Sequence, residues 1–520
     1  MRRTILLVLV MALIAPVSTT RAAEPPPGAI RNVEFVANLP EPTEATAINF
    51  MRYGKRDVMF VTGRFGLMSY DLTDPANPQF LDHLGNDVLM LPGDVSGTYW
   101  QNEDMDLDAK RKRVFLARDP RAYNGTTSNP DSVSGVYIVD ARDPDDLELT
   151  TFHELPAGHT STCINDCKYL WTGGPALRAD MPSDWGGRPI WVTDIRNPRR
   201  PTTFPDPIDT GRNDGRTDYS HDVQVDDEGI AWVSGAGGVR GYLTQGRRWD
   251  PVENRRRKAS PWDPVPYAGG GLEESDVPSR FMHNSERPLS RPSTGDFGRG
   301  ELLYATEESF QPGCEDDGVF AIASLEGSYD GQAWRSTPED PFRLETVGTW
   351  SVADKEGSSA SGDCSAHYFQ IQDDLVVYSW YAQGTRFLDV SDPTDPIQVA
   401  YFRPDDGRSW ASYFHRGYVY VADHGRGVDI LRLAPEGEAA AESHQEVLAP
   451  ALPAGIAQQV RQEFAPDEAY GWACVSACDR RYRWSPPRTL RARPGTHRGA
   501  RLAPSGGRGQ CSGRRRSRPE

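Results

Sequence analysis

Four histidines open short runs that recur along the chain: HTSTC at His159, HDVQV at His221, HNSER at His283 and HYFQI at His367. His159 and His221 are 62 residues apart, as are His221 and His283, and 84 residues separate His283 from His367. One repeat earlier, EDMDL puts Glu103 at the matching place. Neutral imidazole is the commonest protein ligand for Zn, Cu, Ni and Fe. Four imidazoles and a carboxylate at one depth of a shared axis could hold one transition-metal ion, such as Zn, Cu or Fe. They could also leave it an open position, as metal-assisted catalysis requires. The carboxylate could equally orient an imidazole through its other nitrogen. The alternative is a polar lining of a water-filled channel, copied by a repeat without a function of its own.

Other chemistry-bearing residues are weaker candidates. Asp104, Asp106 and Asp108 alternate and would share one face of a strand, so they could bind calcium or simply be solvated. Asp226-Asp227-Glu228-Gly229 reads as a hairpin turn. His153 and His424 fall at strand ends and are expected at the surface. His415 is expected in a turn over 414–417, pointing away from the ring, and Trp410 takes the ring position in the last repeat. Ser161 and Ser365 lie near histidines, but no G-x-S-x-G elbow occurs. No G-x-G-x-x-G or Walker-type loop points to a nucleotide. Asn124-Gly125-Thr126 is a glycosylation sequon, meaningful only in a eukaryotic secretory pathway.

The elements that must position the ring follow from a second repeat. YDLTDPANP from Tyr70, IVDARDPDD from Ile138, VTDIRNPRRP from Val192 and FLDVSDPTDP from Phe387 each end a β-branched or aromatic run in Asp, with Asp-Pro or Asn-Pro three residues later. Asp caps a tight turn and Pro cannot continue a central strand, so the motif joins two antiparallel strands. Further apolar runs precede each copy, such as DVMFVTG from Asp57 and LVVYSWY from Leu375. That makes about four strands per unit at spacings of roughly 50 to 70 residues, as in a β-propeller. The copies resemble the LVIVD repeat of secreted and surface proteins, over roughly 33–433. The resemblance implies a propeller fold and no particular activity.

Seven units are expected, with innermost strands starting near Thr46, Glu103, His159, His221, His283, His367 and Trp410. The last unit lacks an outer strand, which NVEFVANL from Asn32 could supply, closing the ring through both termini. Insertions over 176–189, 245–280 and 287–300 should be surface loops. The axial histidine layout is similar to the four-His iron site of carotenoid-cleaving oxygenases. It is also similar to the His-lined site of the selenium-binding protein and methanethiol oxidase family.

Composition bounds the rest. The chain has 520 residues, 57 basic against 74 acidic, and a net charge of −17. Residues 471–520 carry thirteen Arg and two acids, so the acidity lies in the body, which repels nucleic acid. Residues 1–22 read as an export signal: Arg2 and Arg3, an apolar run over 5–17, and cleavage after Ala22. No later run is long and apolar enough to span a membrane. Seven Cys in an exported chain favour disulfides over zinc. Cys163 could pair with Cys167 and Cys314 with Cys364, leaving Cys474, Cys478 and Cys511 in the tail. The expected order is a leader over 1–22, a propeller over 23–434, an Ala/Glu-rich linker over 435–470, and a disordered Arg-rich tail over 471–520. The expected protein is a secreted monomer, a binding or scaffold protein that recognises a protein or small-molecule partner through its loop face or central channel. The second reading is a metal-dependent oxidase or hydrolase.

Overall fold

The computed structural model describes residues 25–440 except 98, 100–101, 127–128, 130, 175–186, 209, 211–217, 236–237, 273–280, 290–292, 295, 310–317, 336–339, 341, 354 and 360–361. The expected leader, Cys314, Cys474, Cys478, Cys511 and everything from 441 onward lie outside the described residues.

The repeat motif folds as two successive Asx turns, in which an Asp or Asn side chain accepts from the N–H two residues on. Asp71 Oδ1 accepts from Thr73 (2.6 Å) and Asp74 Oδ1 from Ala76 (3.2 Å). The same pair recurs at Asp140 and Asp143, at Asp194 and Asn197, and at Asp389 and Asp392. Each double turn joins a third strand to an outer strand.

Seven four-stranded antiparallel blades result, arranged in a ring as a β-propeller. Their innermost strands are, in order, Ala45–Tyr53, Met105–Asp108, Thr160–Ile164, Asp218–Val225, Met282–Glu286, Phe369–Gln372 and Ser409–His415. Among the described residues, seven buried apolar clusters fill the seven gaps between neighbouring blades. The cluster holding Ala45, Ile48 and Tyr70 with Tyr413, Tyr420 and Ile430 joins the last blade to the first. Val33–Leu39 pairs antiparallel with Gly427–Leu433 as the outer strand of blade 7. Just before it, Gly28–Arg31 adds a fifth strand to blade 6 by pairing with Ile397–Pro404, an addition the repeat gives no hint of.

Blade 4 is also larger than its repeat suggests. Gly187–Arg188 and Arg343–Leu344 pair parallel on its two edges. Its outer strand, Val265–Leu272, follows a separate two-stranded hairpin made of Gly246–Asp250 and Arg255–Ala259. Cys163 and Cys167 form a disulfide across the hairpin turn of blade 3. Cys364 is disulfide-bonded too. No helix among the described residues is long and apolar enough to cross a membrane.

Candidate metal centre

The ring residues stand where each inner strand begins, and the pairing there is irregular. The ladder to the second strand skips Thr46, His221 and Trp410, and skips His283 with Asn284. In blade 6, the His367 N–H donates to Ser379 O while the Ser379 N–H donates to Tyr368 O, so two residues again oppose one. A bulge bends its strand and re-aims the extra side chain. Repeated around the ring, it delivers side chains of successive blades to one axial level.

The five residues singled out by spacing meet there. Glu103 Oε2 lies 2.7 Å from His159 Nε2. Glu103 Oε1 lies 2.9 Å from His367 Nε2, 3.1 Å from His283 Nε2 and 3.9 Å from His221 Nε2. The Nε2 atoms of His159 and His221 are 2.9 Å apart. All five side chains are buried.

The outward nitrogens set the proton positions. His221 Nδ1 is 3.0 Å from His283 O, and His367 Nδ1 is 2.6 Å from Trp410 O. A carbonyl only accepts, so both Nδ1 atoms carry the hydrogen. His159 Nδ1 is 3.0 Å from the Asp119 carboxylate, which Arg121 pairs at 2.6 Å. In the neutral tautomers the Nε2 lone pairs of these three rings therefore point inward. Outer partners of this kind orient metal-binding imidazoles.

Electrostatics agree with an electron-rich centre. Burial opposes ionisation of Glu103, but His159, His283 and His367 outweigh it and hold its carboxyl well below the usual range. Burial would also depress His159, yet Glu103 and Asp119 push it up to about 9. Burial, then neighbouring imidazoles, pull His221 well down and His283 down to about 3. Burial lowers His367 against the pull of Glu103. His367 Nε2 lies 2.9 Å from a carboxylate oxygen of Glu103. Two acceptors at that distance repel unless a proton or a cation lies between them. Two ligands of one ion, each at about 2.0–2.2 Å, stand roughly 3 Å apart at right angles. Among the described residues, three sets of side chains bring ligand atoms within 4.8 Å of one another: Glu103, His159 and His221; Glu103, His283 and His367; His221, His283 and Glu308.

Spacing missed the residues that stand over the ring. Asp119, Glu308 and His424 each follow directly on the second strand of their blade (Arg113–Arg118, Leu302–Glu307 and Tyr418–Asp423). That shared position was the available signal. Glu308 Oε2 is 3.9 Å from His283 Nε2, and its Oε1 accepts a hydrogen bond from the Tyr381 hydroxyl. Burial, then the Glu103 charge, pushes the Glu308 carboxyl up to about 8. Arg121 lies over the Tyr99 ring at 3.9 Å, and Arg408 over Tyr381 at 4.8 Å. Gly174, at the same position in blade 3 and with φ +100°, lets His159 approach: an added Cβ would stand 2.0 Å from His159 Cβ.

Several expectations are corrected. His424 is not a surface residue; it is half-buried and stacked on Trp410 at 3.8 Å, because its hairpin turn lies beside the ring. His153 is half-buried, with Nε2 2.8 Å from Thr203 Oγ1 of the neighbouring outer strand. His415 lies away from the ring, as expected, but it ends the inner strand of blade 7 and stacks on Phe50 at 4.1 Å. Asp106 accepts from the Leu107 and Cys163 N–H groups, both at 2.6 Å, and Asp108 accepts from Lys110 and Arg111. Those oxygens tie strands and blades together.

No family model and no curated protein matches this chain. Among solved structures it is similar to a periplasmic gluconolactonase of Pseudomonas aeruginosa, with 13% identity over 72% of this chain and 88% of the other and a TM-score of 0.43. A Lactobacillus plantarum protein matches at 10% identity over 73% and 89%, with a TM-score of 0.42. The β-propeller domain of Swd1 from Myceliophteria thermophila matches at 10% identity over 77% and 100%, with a TM-score of 0.46. No residue role is carried over from any of them.

Proposed function

We propose that this chain is a metal-dependent enzyme, an oxidase or hydrolase, with one transition-metal ion held on the propeller axis by His159, His221, His283, His367 and Glu103. The observation that carries this reading is the inward convergence of four Nε2 atoms on one carboxylate, with three outward nitrogens committed to acceptors. A water-filled polar lining does not require four imidazoles of successive blades to turn Nε2 onto one carboxylate, whereas outward hydrogen bonds of this kind are what orient metal-binding imidazoles. A nitrogen-rich set with one carboxylate suits Zn, Cu or Fe. Bound there, the ion would supply Lewis acidity and lower the pKa of a water molecule. Glu308 holds a proton near neutral pH at the edge of the centre, and Tyr381 fixes the orientation of its carboxyl. Asp119 and Arg121 keep the His159 ring in place.

Export through the leader over 1–22 belongs to the same reading, as does kinship with the LVIVD repeat. Each is supported by the sequence features described above, and the disulfides fit an oxidising compartment. The test is metal analysis of the purified protein beside a His221→Ala/His367→Ala variant. About one equivalent of a transition metal is expected in the wild type and a small fraction of it in a folded variant. A wild type that takes up no transition metal even on reconstitution would return the protein to the binding or scaffold reading.

A further inference from the structure

The hairpin inserted between the third and outer strands of blade 4 stands apart from the blades as its own two-stranded sheet, Gly246–Asp250 against Arg255–Ala259. It carries six cationic side chains against two acidic ones over 246–259, on a chain that is acidic overall. The register sorts them by face. Arg247 stands opposite Lys258 and Trp249 opposite Arg256, and alternation puts these four on one face. Arg248 stands opposite Arg257, and Asp250 opposite Arg255, on the other.

The second face is anchored. Half-buried Arg257 pairs with buried Asp250 at 2.6 Å and with Asp263 at 2.8 Å, and Arg255 pairs with Glu253. The first face is solvent-exposed at all four positions, with Trp249 52% exposed. Among the described residues, Arg247, Arg256 and Lys258 form no ion pair. Like charges directly opposite each other in a ladder are destabilising. A large exposed aromatic ring among them adds an apolar surface.

We propose that this face binds an acidic polysaccharide of the uronate class: the indole stacks on the face of a sugar ring while Arg247, Arg256 and Lys258 pair with carboxylates of that sugar and its neighbours. The spacings suit it. Cross-strand neighbours stand roughly 5 Å apart and i, i+2 neighbours nearly 7 Å apart, the scale of one sugar unit. A bilayer fits less well. The arm's exposed large apolar side chains are Trp249, mid-strand, and Val252, at the tip beside Glu253 and Asn254, too little apolar surface to hold a bilayer.

The test uses the full chain and fluorescently labelled oligogalacturonate, with neutral dextran and phosphatidylcholine–phosphatidylglycerol vesicles as the other arms. The wild type is expected to bind the oligogalacturonate with an affinity that falls as salt rises. The variant R247Q/R256Q/K258Q should lose binding by about tenfold or more, and Trp249→Ala, which leaves the charge unchanged, by severalfold. Both should keep the wild-type melting temperature and metal content, because every altered side chain is exposed and on a hairpin outside the blades. Absence of oligogalacturonate binding overturns the proposal. So do equal affinities of wild type and triple variant, an unchanged Trp249→Ala, or tighter binding to the vesicles.

Discussion

At the level of single residues, the centre depends on groups that never touch its middle. Gly174 is one. Its φ of +100° suits glycine, and an added Cβ would collide with His159 Cβ. Gly174→Ala therefore has to move the inner strand of blade 3 or turn the imidazole out of the ring. We expect a loss of stability on the order of 2 kcal/mol, and metal affinity reduced well beyond what that loss alone explains. Melting with and without added metal measures both, and a variant that is destabilised yet keeps wild-type metal affinity would show that His159 is not a ligand. His415 is another such residue, remote from the ring. Burial, against the pull of Asp57, takes its pKa from 6.5 to about 4. Between those values the unfolded chain binds a proton that the folded chain does not. The contribution of His415 is thus complete above pH 6.5 and is lost as pH falls toward 4, by on the order of 2 kcal/mol. His415→Phe, still able to stack on Phe50, should flatten this acid limb. Urea midpoints at pH 7.5 and pH 5 compare the two proteins; an equal drop in both would assign the acid limb to other groups.

At the level of strands and turns, the repeat was legible because its chemistry is local. Asp or Asn two residues before a free N–H, with Pro fixing the turn, announces itself in nine residues of chain, as at Asp389 and Asp392. The ring histidines were legible for a related reason: each starts an inner strand, so blade spacing carries over to them. Asp119 and Glu308 were not, since the position they share directly after a second strand holds a different residue type in each blade, Asp119, Gly174, Glu308 and His424 among them. The outer strand of blade 4 was hidden by the inserted arm, and parallel additions such as Arg343–Leu344 depend on contacts far apart in sequence. The turns also differ in what surrounds them. Asp389 is fully buried and accepts from Ser391 N–H at 2.8 Å, whereas Asp74 is exposed. Asp389→Ala strands a buried donor and should cost about 1–3 kcal/mol. Asp74→Ala hands its donor to water and should cost about 0.5 kcal/mol. Equal costs in chemical denaturation would mean that turn propensity, and not the buried N–H, sets the value of the motif.

For the whole molecule, the decisive feature is how the ring closes. A propeller left open exposes two strand edges and one inter-blade core. Here, strands near the start of the chain cover the edges of the last two blades. Gly28–Arg31 pairs at four positions with blade 6, and Val33–Leu39 pairs at six with Gly427–Leu433 of blade 7. Phe35 stacks on Phe402 at 5.7 Å and joins the outer strands of those two blades. Deleting residues 25–39 would bare both edges and the cluster around Phe402, Val419 and Leu431. We expect the melting temperature to fall by on the order of 10 °C and the protein to associate as its concentration rises. Truncation after 440 leaves every described blade strand in place, so that variant should melt with the parent and remain in the parent's oligomeric state. Calorimetry and light scattering on the two truncations separate the possibilities. If the shortened N-terminus leaves melting and mass unchanged, the seven inter-blade cores hold the ring by themselves, and the terminal strands serve only to cover its edges.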